Sequence, residues 1–132
     1  LDDEMIKADL KYRCPMNLTS VGFKTSVVKA VGGFGLIPSN EDYSLWIKLV
    51  RNNVRFGNTD LSLVDVSVNP AYFERRGGLR YFIAEYNVQR MLLSYVIIGP
   101  LLFMRNVMLR FIVQVLLPNV LRVFIFKKFA RK

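Results

Sequence analysis

Histidine is absent from the 132 residues. Its absence removes the commonest general base near neutral pH, any serine–histidine pair and most zinc sites. Proton transfer must then fall to carboxylates, tyrosines or lysines. Cys14 is the single cysteine, so no disulfide forms within the chain, and a reducing compartment fits. No acidic residue follows Glu85. No uncharged run reaches the ~20 apolar residues that a simple membrane span needs. The opening, Leu1-Asp2-Asp3-Glu4, lacks the basic-then-apolar order of a secretory leader. A chain that opens on leucine is expected to be a piece of a longer protein.

What is present is apolar and basic together. Mean hydropathy is +0.27, with 52% hydrophobic residues, which is high for a small soluble domain. The net charge of +9 is unevenly spread. Arg90, Arg105, Arg110, Arg122, Lys127, Lys128, Arg131 and Lys132 stand beyond Glu85 among Leu, Ile, Val, Phe and Met. Basic residues interleaved with aliphatics point to an anionic membrane surface as partner, and no nucleic-acid reading motif accompanies them. A merely solvated tail would leave those apolar residues bare. From Leu101 to Leu117 the polar residues Arg105, Asn106, Arg110 and Gln114 gather on a narrow stripe, and Arg122 prolongs it. An arginine at bilayer depth costs a few kcal/mol or more. The stripe therefore predicts amphipathic helices lying in the interface, on the cytoplasmic face of the cell membrane.

Upstream, residues 18–24 alternate in part and predict a short strand. Thr25 or Ser26 is a cap for a helix over Val27–Val31, ended by Gly32-Gly33. Ser39-Asn40-Glu41-Asp42 is a helix start, with cap-forming side chains and two acids in the first turn. Tyr43, Trp46, Leu49 and Val50 follow at helical spacing, and Asn52-Asn53 stops the run. Residues 54–56 and 61–68 predict strands separated by Gly57-Asn58. Arg75-Arg76-Gly77-Gly78 is a basic joint, and a helix is expected from Leu79 to Ile98, closed by Gly99-Pro100. Pro118 suits the first position of a last helix.

Glu41-Asp42 at the head of an aromatic helix is the sharpest chemical feature. Acids are favoured at helix N-termini by roughly 0.3–1 kcal/mol and need no further reason to be there. The functional alternative is a general base.

Gly32-Gly33-Phe34, a loop, and then Glu41-Asp42-Tyr43-Ser44-Leu45-Trp46-Ile47 resemble a conserved-order block of bacterial family 2 glycosyltransferases of capsule and exopolysaccharide synthesis. Arg75-Arg76-Gly77-Gly78 with Tyr81-Phe82 resembles the block that follows in that family, and Val113-Gln114 through Leu117-Pro118-Asn119 to Arg131-Lys132 resembles its closing segment. The likeness runs from about Arg13 to the end. It implies an α/β architecture: the C-terminal half of a GT-A (nucleotide-diphospho-sugar transferase) fold followed by amphipathic membrane-associated helices. Residues 1–78 would be the acceptor-side part and 79–132 the helical, membrane-associated region. The implied reaction moves a sugar, with inversion, from a nucleotide-sugar donor to a saccharide or lipid-linked acceptor. Asp42 would be the base and Glu41 would sit beside the acceptor. Arg75 and Arg76 would close over the diphosphate, whose departing charge a guanidinium pairs in two-point geometry. Trp46 could stack on the acceptor sugar, although its place on the apolar helix face also suits a core residue.

The sequence departs from the family in two ways. A divalent metal (Mg or Mn) is expected in the complete enzyme, but its strand, loop and Asp-x-Asp motif are not here. Where the family often has Asn-His, this chain has Asn17-Leu18. The rival reading is a non-enzymatic basic amphipathic module of the membrane surface, which leaves the Glu41-to-Trp46 block without a role.

Overall fold

The computed structural model describes residues 2–65, 76–118 and 121. Five α-helices form the frame: α1 (Asp3–Leu10), α2 (Thr25–Ala30), α3 (Glu41–Arg51), α4 (Leu79–Ser94) and α5 (Pro100–Phe111). A 3₁₀ turn covers Leu18–Ser20, and a π-helical turn, Ile112–Leu116, extends α5.

Local sequence explains most helix ends. Asp2 caps α1 by accepting from the Met5 amide at 2.9 Å. Helix α2 ends in a double-bonded turn, Gly33 N to Val28 O at 2.9 Å and Gly32 N to Lys29 O at 3.0 Å. Both glycines have positive φ, which they adopt without Cβ strain. Helix α3 closes the same way at Asn53, with φ 55° and bonds from Asn53 N to Val50 O and Val54 N to Leu49 O.

Helix α3 is the hub of the core. Tyr43, Leu45, Trp46, Ile47 and Leu49 are buried, against Leu10 of α1, Val28 of α2, Val88 and Leu92 of α4, and Ile98. Helix α4 stops four residues short of its expected end. Val96 turns at φ 59°, and Ile97 N and Ile98 N both return to Leu92 O, which swings Ile98 back into the core. Pro100 then opens α5 at its first turn, where a missing amide is harmless.

No strand forms among the described residues. At 18–24 the amides of Ser20 and Val21 bond back to Asn17 and Leu18, making a turn. At 54–56 the Val54 amide closes α3, and the Phe56 amide donates to Asp3 Oδ1 at 2.8 Å. Donors already committed to helix ends and a carboxylate are not free to build a ladder. Residues 61–65 are irregular, and 66–68 lie outside the described residues.

The polar stripe of α5 packs against the rest of the protein. The carbonyls of Leu10, Lys11 and Tyr12 at the end of α1 are taken by side chains from other helices. Tyr43 Oη donates to Leu10 O at 2.5 Å, Asn106 Nδ2 to Lys11 O at 2.9 Å and Arg110 Nη2 to Tyr12 O at 2.7 Å. A helix C-terminus leaves its last carbonyls without helical partners and carries partial negative charge, so buried donors and a guanidinium are favoured there. Asn106 also bonds Gln89 Oε1 on α4 at 3.0 Å, and Gln114 is buried. The polar stripe of α5 thus faces the protein, except for the exposed Arg105.

Candidate active site

The loop after α2 is strapped onto α3. Lys48 Nζ donates to Gly33 O at 2.9 Å. Gly35 N donates to Ser44 Oγ at 3.1 Å, and Ser44 Oγ donates to Glu41 O at 2.7 Å. A Cβ on Gly35 would lie 2.2 Å from Ser44 Oγ, so glycine alone permits this approach. Ser39, at φ 67°, donates its amide to Glu41 Oε1 at 3.1 Å. These bonds hold the head of α3 in one arrangement.

Asp42 is half-buried there. Its Oδ1 accepts from the Tyr43 amide at 2.7 Å, and its Oδ2 lies 3.8 Å from Cys14 Sγ. The thiol is pushed up to about 12, first by burial and then by the Asp42 carboxylate. Glu41 is exposed at the same helix end. The two acids therefore differ: Asp42 is inserted against the protein, and Glu41 points to the surface.

Asn40 does not cap α3 with its side chain, contrary to the sequence expectation. It is 5% exposed, and its Nδ2 has no hydrogen-bond partner among the described residues. Buried amide donors without partners are uncommon. This orphan one position before Glu41-Asp42 is the feature that sequence reasoning missed. Cap chemistry gave the wrong role to the side chain, and only its burial exposes the difference.

Trp46 is 1% exposed and packed in the core, which accounts for it without a substrate contact. Arg75 lies outside the described residues. Arg76 is partly buried at the start of the segment leading to α4, and its charge bears on Tyr81. Burial, and then the charge of Glu85, raises the Tyr81 hydroxyl well above the usual phenol range. Gly78, at φ 84°, donates its amide to Gln114 O at 2.8 Å, which ties the joint to the π turn. Of these groups the geometry joins Asp42 to Cys14, across 3.8 Å, and Glu85 to Arg110, across 2.8 Å.

Among the described residues no group of three or more Cys, Asp or Glu is placed to hold a metal ion.

No protein-family model matches the chain. No solved structure matches it either. Two curated proteins do. A UDP-Gal:alpha-D-GlcNAc-diphosphoundecaprenol beta-1,3-galactosyltransferase of Escherichia coli is 35% identical over 122 residues, covering 92% of this chain and 44% of that protein. An uncharacterized glycosyltransferase of Haemophilus influenzae is 34% identical over 129 residues, covering 98% of this chain and 47% of its own length. The chain is thus related to glycosyltransferases along nearly all of its own length, and it spans about half the length of the curated relatives it matches.

Proposed function

We propose that the chain is the acceptor-side part of an inverting glycosyltransferase of family 2, within an α/β GT-A enzyme of polysaccharide synthesis. The donor is a nucleotide-diphospho-sugar and the acceptor a saccharide or lipid-linked saccharide; the likeness to the E. coli galactosyltransferase supports the lipid-linked one. The observation that carries the reading is the half-buried Asp42 carboxylate, held at the head of α3 by the strapped loop.

In this reading the acceptor hydroxyl oxygen attacks the anomeric carbon. The bond from that carbon to the diphosphate oxygen breaks, and its electron pair leaves with the nucleoside diphosphate. The hydroxyl proton passes to a free face of the Asp42 carboxylate. Glu41, exposed beside it, is the group available to acceptor hydroxyls. Arg75 and Arg76 offset the charge building on the diphosphate. A divalent metal belongs to the complete enzyme in this proposal, and no step here runs through it.

The test is Asp42→Asn in the complete protein. Turnover should be lost while nucleotide-sugar binding stays near normal, because the donor is held by other groups. A variant that keeps near-wild-type kcat removes Asp42 as the base.

A further inference from the structure

The inward turn of the polar stripe leaves α5 with an outer surface that water does not suit. Ten positions from Pro100 to Pro118 are exposed, and nine of them are apolar, Arg105 being the exception. Leu101, Met104, Met108, Ile112 and Leu116 follow one another at spacings of three or four along one side. Leu101 is 82% exposed and Met108 62% exposed. From Leu101 to Ile112 this ridge is about 16 Å long at 1.5 Å per residue. Stray exposed apolar residues need no explanation, but a continuous ridge does.

We infer that this ridge is a lipid-docking face, on which α5 lies as a plate between the protein and an anionic membrane. This differs from an ordinary interfacial helix, whose polar edge faces water. Here the polar edge is used up on the α1 carbonyls, on Gln89 and on Glu85. Charge selects the occupant. Beyond Glu85 the chain holds eight basic residues and no acid, five of the eight following Pro118. Among the described residues beyond Glu85, Arg90 and Arg105 are exposed and Arg110 is paired with Glu85, so the uncompensated surface charge there is positive, which disfavours a second copy and attracts anionic headgroups. Lipid also needs no shape match, which suits a ridge containing two flexible methionines. Arg105, exposed on this helix and 5.9 Å from the Tyr12 ring, has a long stem that lets its charge reach headgroup level.

Vesicle flotation tests the inference without donor or acceptor, so its outcome is independent of the transferase reading. The full chain should float with vesicles of phosphatidylcholine mixed with phosphatidylglycerol and far less with phosphatidylcholine alone. The pair Met104→Glu and Met108→Glu should weaken binding about tenfold or more, with the far-ultraviolet circular dichroism unchanged. Leu36→Glu, a fully exposed site away from the ridge, should leave binding as it was. A separate Met108→Trp variant reports position even if the acidic pair disturbs folding. Its fluorescence should shift to the blue on anionic vesicles, over the constant signal of the buried Trp46. Unchanged binding by a folded acidic pair, or no spectral shift at position 108 with vesicles bound, overturns the inference and leaves the segment after Pro118 as the anchor. A dimer dissolved by the acidic pair, with flotation unaffected, overturns it in favour of a second copy.

Discussion

The Arg110 guanidinium and the Glu85 carboxylate meet between α5 and α4 with Nε 2.8 Å from Oε2, at side-chain exposures of 14% and 10%. The same guanidinium reaches the Tyr12 carbonyl, so one side chain joins α4, α5 and the end of α1. Removing one member of a withdrawn pair leaves an uncompensated charge, which costs about 3–5 kcal/mol. Arg110→Ala should therefore lower the urea midpoint sharply. The double replacement Arg110→Met with Glu85→Leu should recover much of that loss, since no buried charge remains. Equal losses in the single and double variants would show that the Tyr12 carbonyl, not Glu85, is what Arg110 serves.

Gly35 tests the strap over α3. Gly35→Ala places a methyl against Ser44 Oγ and Cβ, at 2.2 and 2.8 Å, and should destabilise by about 1–3 kcal/mol through forced movement of the loop. Gly57→Ala, where nothing lies within 4 Å, should stay within about 0.5 kcal/mol of the parent. Thermal melts of the two variants make the comparison. In the complete enzyme, Gly35→Ala should also lower kcat, because the same loop sets the position of Asp42.

The pH dependence has two arms. The Lys7 ammonium and the Phe56 amide, in that order, hold the Asp3 carboxyl below its ordinary value of 3.8. Its folded value is the lower one, so its contribution is complete above 3.8 and fades as pH falls through the folded value. Asp3→Asn should flatten the acid side of a melting-temperature profile and speed amide exchange at Phe56. Cys14 behaves oppositely. Its thiol is raised from 9.0 to about 12, so its contribution is complete below 9.0 and lost as pH climbs toward 12. Iodoacetamide should label native Cys14 slowly in mild alkali, and Asp42→Asn should speed labelling by removing the second cause of the shift.

Several features were legible because they depend on neighbours in the chain. The stop at Gly32-Gly33, the run of α3 from Glu41 to Asn52-Asn53, the start of α4 after Gly78 and the start of α5 at Pro100 all follow from local conformational preference, whereas the end of α4 at Ser94 did not show in the sequence. The Glu41-Asp42 pair and its helix position were readable for the same reason. The expected strands at 18–24 and 54–56 were not formed. Alternation records which residues are apolar, but a strand also needs a partner for its amides, and here those amides bond to Asn17, Leu18, Leu49 and Asp3.

The role of Asn40 was hidden by its type. Asparagine is a good cap, and its side chain is instead buried without an amide partner among the described residues. The closeness of Cys14 to Asp42, 28 positions apart, had no local signal at all.

The sequence by itself determined where α3 begins and ends and where α4 begins, that the region after Glu85 is basic without acids, and that α5 has a narrow polar stripe. The tertiary structure alone decided which way that stripe faces. Periodicity defines two sides of a helix but not which meets water. The carbonyls of Leu10, Lys11 and Tyr12 at the end of α1, which have no helical partners and carry partial negative charge, drew the donors Tyr43, Asn106 and Arg110 inward, and the apolar side of α5 was left facing out.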